Sequence, residues 1–171
     1  LAASTTERNT AGAAAQTSSG AIPDGRGRVV ALAAGSYHSC ALRNDGSVTG
    51  WGSNWAGESS PPARGRFTAV SAGYVHSCAL QSDGVPQCWG DNSVQQTTVP
   101  AGERFTAIAA GAFHTCGLRA SGSVACWGKN DAGQALPPFS KQVFVALTAG
   151  WAHTCGLRAD GMAVCWGDNT W

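Results

Sequence analysis

The chain has 171 residues, 43% of them hydrophobic and only 12% charged, and its formal net charge is +1. The charged share is about half the usual one, and without a basic run or an acidic tail nothing steers the chain toward nucleic acid or an anionic membrane surface. No apolar stretch is long enough to cross a bilayer as a helix, so membrane insertion is not expected.

In chain order, residues 1–22 come first and stand apart. Ala, Ser, Thr and Gly dominate them without periodicity, the composition of a flexible leader; an added strand on a neighbouring molecule is the alternative. Leu1 is neither Met nor the start of a signal peptide, which fits a processed or artificial start. Residues 23–171 then form one repeat domain. In register, segments begin at Val29, Phe67, Phe105 and Phe144, spaced 38, 38 and 39 residues apart. Gly35, Gly73, Gly111 and Gly150 align, as do His38, His76, His114 and His153, and Trp51, Trp89, Trp127 and Trp166.

Within each repeat the pattern is strand-like. A first run, such as 105–109, alternates large and small side chains; a second, 114–119, leads into a Gly-containing turn; a third, 123–127, ends at Gly128. No stretch keeps helical periodicity over three turns, and Pro61-Pro62, Pro100 and Pro137-Pro138 mark the connecting loops. These features predict an all-β chain: β-propeller blades in four repeats of about 38 residues, each with three short antiparallel strands.

The cysteines set the hairpin register. Ser82-Asp83-Gly84 reads as a three-residue loop, a type I turn with Gly at the bulge. Counting outward, Leu80 faces Pro86 and Cys78 faces Cys88 at a non-hydrogen-bonded pair, where Cα atoms lie about 4.5 Å apart, within disulfide range. Cys116 and Cys126, and Cys155 and Cys165, repeat the spacing. Three disulfides imply an oxidising compartment and hence secretion or surface display. Zinc is the competing reading, but the set lacks C-x-x-C spacing, and no metal or cofactor is expected. Gly50 occupies the second cysteine position of repeat one, leaving Cys40 odd: a buried thiol, or the half of an intermolecular bridge. Pro86 has no N–H to give a further strand, which favours three-stranded blades over four-stranded ones.

The pattern A-x-A-A-G-x-x-H-[ST]-C-x-L-x-x-x-G-x-V-x-C-W-G-x-N over residues 29–171 resembles the regulator of chromosome condensation repeat. The short spacing and the Gln96–Pro100 linker are especially similar to its secreted bacterial branch, which includes the propeller-type β-lactamase inhibitory protein; the paired cysteines are similar to extracellular repeats of Crinkly-type plant receptor kinases. The resemblance implies a scaffold whose loops and faces bind other proteins. Family rings usually carry seven blades, so four imply a fragment, closure by association, or four blades packing alone.

Catalysis needs one asymmetric constellation, whereas the histidines recur with identical neighbours in every repeat. They read as hydrogen-bond anchors between strands or loops, the aligned tryptophans as inter-blade packing, and Asp45, Asp83 and Asp160 as turn formers. The chain is therefore expected not to be an enzyme. The bends after the first strands carry Tyr37, Tyr74, Phe113 and Trp151, a candidate binding face rich in interface-type residues; packing beneath loops is the alternative. Trp55 and Trp171 are weaker candidates. Three functions follow: a secreted protein-binding propeller, a structural subunit joining copies of itself into a ring or filament, or a carbohydrate-binding propeller.

Overall fold

The computed structural model describes residues 27–138 and 142–170; the expected leader at 1–22 and Trp171 lie outside them. Among the described residues there are twelve strands and no helix. Blade 1 comprises β1 (Val29–Ala34), β2 (His38–Arg43) and β3 (Val48–Gly52); blade 2, β4 (Phe67–Ala72), β5 (His76–Gln81) and β6 (Pro86–Gly90). Blade 3 comprises β7 (Ala107–Ala110), β8 (His114–Leu118) and β9 (Val124–Gly128); blade 4, β10 (Phe144–Ala149), β11 (His153–Arg158) and β12 (Ala163–Gly167). Each blade is a separate three-stranded antiparallel sheet in chain order.

The hairpins follow from turn chemistry. In blade 2 the Gln81 N–H donates to the Val85 carbonyl at 2.9 Å, and Gly84 sits at φ +82°, a left-handed conformation that glycine adopts without a Cβ clash. Leu80 pairs with Pro86, Ala79 with Gln87 and Cys78 with Cys88. Disulfides Cys78–Cys88, Cys116–Cys126 and Cys155–Cys165 join Cα atoms 4.0–4.1 Å apart. β6 is the outer strand of its sheet, so Pro86 costs no ladder bond there.

The first strands differ from their expected simple alternation. Blades 1, 2 and 4 carry a bulge after the first residue: Phe67 pairs with Gln81 but Ala69 with Leu80. In blade 3 the strand starts only at Ala107, and both the N–H and the hydroxyl of Thr106 donate to the Leu118 carbonyl. The outcome is the same. Phe67, Phe105 and Phe144 turn into the junction with the preceding blade and are buried, while Thr68, Thr106 and Val145 face solvent.

Consecutive blades pack face to face. Between blades 1 and 2, Cys40, Leu42 and Val48 meet Phe67, Ala79 and Trp89; between blades 2 and 3, Leu80 meets Phe105 and Trp127, whose rings stack at 5.7 Å. Inner strands β1, β4, β7 and β10 pack in succession around a cleft of about 860 Å³ lined by Leu32, Val70, Ile108 and Leu147. The ring stays open: Leu32 on blade 1 is 66% exposed, and His153 and Leu157 on blade 4 are exposed as well.

Candidate functional site

At every junction the aligned histidine makes the same contact. Nε2 of His38, His76 and His114 lies 2.7, 2.9 and 2.8 Å from the hydroxyl oxygen of Ser77, Thr115 and Thr154 in the next blade. Each hydroxyl in turn donates to the carbonyl of Glu58, Gln96 or Gln134, at 3.0, 2.9 and 3.1 Å. The indole N–H of Trp89, Trp127 or Trp166 donates to the same carbonyl. A hydroxyl has a single proton, and the carbonyl takes it, so the histidine must be the donor. The network therefore assigns a neutral ring protonated on Nε2, with a buried Nδ1 that has no partner.

Burial, the largest effect on each, pushes all three histidines below their ordinary pKa, His76 and His114 to about 4. A ring held neutral, buried and identical in three junctions is a structural tie. The hairpin acids are equally structural: a side-chain oxygen of Asp45, Asp83 or Asp160 accepts the backbone N–H two residues on. Among the described residues no cluster of His, Cys, Asp or Glu is arranged to hold a metal ion.

Glu58, Gln96 and Gln134 complete the junctions, a role that the sequence reading, which has Gln96 only as part of a linker, does not assign. Their side chains are buried and wrap their own loops: Oε2 of Glu58 accepts the Ala56 N–H, and Oε1 of Gln96 and Gln134 the N–H of Val94 and Ala132. Burial acts against the Glu58 charge, but hydrogen bonds from Ser53 and the backbone outweigh it and hold the carboxyl below its ordinary range. The signal was available, since positions 58, 96 and 134 keep the 38-residue spacing.

Cys40 is a buried thiol. Its Sγ lies 3.5 Å from the Ser77 hydroxyl oxygen, and burial raises its pKa. Opposite it, a Cβ on Gly50 would run into the Ser59 backbone; the loop of blade 1 fills the space that a second cysteine takes in the other blades.

The candidate binding residues converge at one mouth of the blade array. Bends are tied side by side by backbone bonds of 3.2 Å, Ser36 to Gly73, Tyr74 to Ala112, and Ala112 to Gly150. This brings Tyr74 within 5.6 Å of Tyr37, 5.2 Å of Phe113 and 5.1 Å of Trp151, measured between ring centroids. Phe113 and Trp151 meet edge to face at 5.8 Å, and Trp55 adds a fifth ring 6.4 Å from Tyr37. Tyr37 and Trp151 are 59% and 61% exposed and Trp55 86%, so this part of the cluster lies open and not beneath loops. Lys129 places its ammonium 5.9 Å from the Phe113 centroid. Tyr74 and Trp151 border a depression of about 200 Å³ that Gly35, Gly73, Gly111 and Gly150 also line. The neighbouring Tyr37, more than loss of water, holds the Tyr74 hydroxyl above its ordinary pKa. An apolar rim with polar ring edges suits recognition; it offers no paired acid, base and nucleophile.

The family described as regulator of chromosome condensation (RCC1) repeat matches residues 29–57, 67–96, 105–134 and 144–170. Among solved structures, the ectodomain of the receptor kinase CR4 from Physcomitrella patens is 33% identical, with a TM-score of 0.75 over 87% of this chain and 43% of that one. The CRINKLY ectodomain of the Arabidopsis thaliana receptor kinase ACR4 is 31% identical, with a TM-score of 0.68 over 82% of this chain and 50% of that one. Prp20p from Saccharomyces cerevisiae, whose binding to Gsp1p and histones has been characterised, shares the fold at 20% identity, with a TM-score of 0.72 over 85% of this chain and 47% of that one. The chain thus spans half or less of the length of each. No curated protein is similar enough in sequence to count as a match.

Proposed function

Because this chain belongs to the regulator of chromosome condensation (RCC1) repeat family, we propose that it is a secreted or surface-displayed protein-binding propeller scaffold without a catalytic site, which captures its partner through the aromatic mouth. The observation that carries this reading is the continuity of five rings with Tyr37, Trp55 and Trp151 open to solvent. Large rings are ordinarily buried, and a contiguous exposed group of them marks a surface made to be covered. The three disulfides and the similarity to plant receptor ectodomains support an extracellular setting.

The immobilised chain is expected to retain a defined protein from the extracellular fraction of its source. Tyr74→Ala combined with Trp151→Ala is expected to weaken that capture at least about tenfold, as for two central anchors, while Leu136→Ala, exposed at a connecting loop, leaves it unchanged. Retention by the double variant within twofold of the parent, with an unchanged melting curve, would remove the mouth from the reading. A saturable tryptophan fluorescence change with one member of a glycan panel would replace a protein partner with a carbohydrate.

A further inference from the structure

Charge is sorted between the two ends of the blades. The third strands end beside the aromatic bends, where the N–H groups of Asp91, Lys129 and Asp168 donate to the carbonyls of Val75, Phe113 and Ala152 at 2.8 Å. Asp131 pairs with Lys129 at 3.3 Å. Among the described residues the mouth is thus bordered by three carboxylates, Asp91, Asp131 and Asp168, and one ammonium, with Glu58 buried in the loop of blade 1. At the opposite end, Arg28, Arg43, Arg66, Arg104, Arg119 and Arg158 stand at or next to strand ends beside the hairpin turns and outnumber the four acids there. The carboxylates of the mouth are held ionised. Burial opposes the charge of Asp91, but hydrogen bonds from Ser93 and Gln96 outweigh it; the hydroxyl and N–H of Thr170 hold Asp168 below its ordinary pKa. One cation is already seated here: the Lys129 ammonium lies 5.9 Å from the Phe113 centroid and beside Asp131, so a ring face and a carboxylate share it. Blades 2 and 4 carry an acid in place of that lysine, Asp91 and Asp168, and a ring at the bend, Tyr74 and Trp151.

We propose that the protein captured at the mouth presents a basic segment, whose arginine or lysine side chains lie over the rings of Tyr74 and Trp151 with Asp91 and Asp168 alongside. This rests on the mouth as the capture site and adds the chemistry of what it captures. Charge complementarity selects the occupant. The mouth is the negative pole of the molecule, so a basic segment is drawn to it and turned away from the arginine end, whereas an acidic segment is steered to the end that has no rings. A cation set on a ring face gains from the ring as well as from the carboxylate. Tyr74, Asp91, Phe113 and Lys129 belong to blades 2 and 3, each of which has a neighbour on both sides, so this part of the mouth is the same wherever the array begins or ends.

Fluorescence anisotropy on the full chain tests this with three labelled peptides of equal length, alternating glycine with arginine, glutamate or serine. At low salt the arginine peptide is expected to bind with a Kd below about 1 mM, the other two not at all. Raising the salt to ~0.5 M is expected to weaken it at least about threefold by screening. Asp91→Asn plus Asp168→Asn keeps an acceptor oxygen in each loop and is expected to raise the Kd about fivefold, as for two exposed charge pairs. Asp83→Asn plus Asp160→Asn makes the same charge change at the turn end and leaves the Kd unchanged. Lys129→Gln frees Asp131 and the Phe113 face and is expected to tighten binding about threefold, which a purely structural role for these residues does not produce; it decides the matter alone should the asparagine pair at 91 and 168 melt early. Binding of the glutamate or serine peptide as tight as that of the arginine peptide, indifference to salt, or a Lys129→Gln variant no tighter than the parent overturns the proposal. Tyr74→Ala plus Trp151→Ala is expected to raise the Kd at least about fivefold; peptide binding that ignores it removes the rings, and the capture site with them. Partner capture that needs the rings but ignores salt and the asparagine pair at 91 and 168 leaves the capture site standing and sinks the basic segment alone.

Discussion

Thr115 accepts the Nε2–H of His76 and donates to the Gln96 carbonyl, so Thr115→Val keeps the shape and removes both bonds. Trp127 still satisfies the carbonyl at 2.9 Å, which leaves the His76 donor as the stranded group. An unpaired buried donor costs about 1–3 kcal/mol, and urea unfolding of the variant is expected to show a loss of about 2 kcal/mol. The same histidines make stability depend on pH. His76 and His114 are held near 4, first by burial and then by neighbouring histidines, against 6.5 in an unfolded chain. Above 6.5 both states are neutral; between 6.5 and 4 the unfolded chain takes up protons that the folded one refuses, so stability falls as acid is added. At pH 5 the loss is about 2 kcal/mol for each histidine, measurable as a lower urea midpoint than at pH 7.5; an unchanged midpoint would mean that the rings are charged in the fold.

At the scale of the hairpin, sulfur and glycine alternate for a spatial reason. Each disulfide closes a loop of about 11 residues, worth about 2–3 kcal/mol in the chain-entropy picture, and blade 1 does without one. Restoring the repeat pattern by Gly50→Cys is expected to lower the melting temperature and to leave two free thiols by mass after alkylation in denaturant, because the Ser59 backbone occupies the site. A hyperstable variant without free thiol would show that this loop moves aside. Hairpin register was legible in the sequence because the Asp83-Gly84 turn and the spacing of Cys78 and Cys88 each imply the same pairing. The bulges were not, since an extra residue at a strand start leaves the alternation beyond it intact. The spacing of Glu58, Gln96 and Gln134 is legible but their junction role is not, because they act from loops through a backbone carbonyl that no residue type encodes.

For the whole molecule, the blade count and the three-strand blade could be read from repeat phase and from Pro86, and the aromatic positions from their recurrence at the bends. Their convergence could not. Contact between Tyr74 and Trp151, two blades apart in sequence, depends on how tightly the inner strands wind about the cleft, and curvature has no signature in a single repeat. For the same reason, the exposed ends of the array emerge only when the fates of equivalent residues are compared: His76 buried, His153 open.

The histidine-to-hydroxyl bond runs one way along the chain, always from a blade to its successor. Blades 2 and 3 are thus each plug and socket at once, and a gene that duplicates either of them in tandem adds a unit that already carries both halves of the joint. Lengthening such an array demands no compensating substitution, whereas a repeat inserted from an unrelated propeller arrives with neither half of the joint.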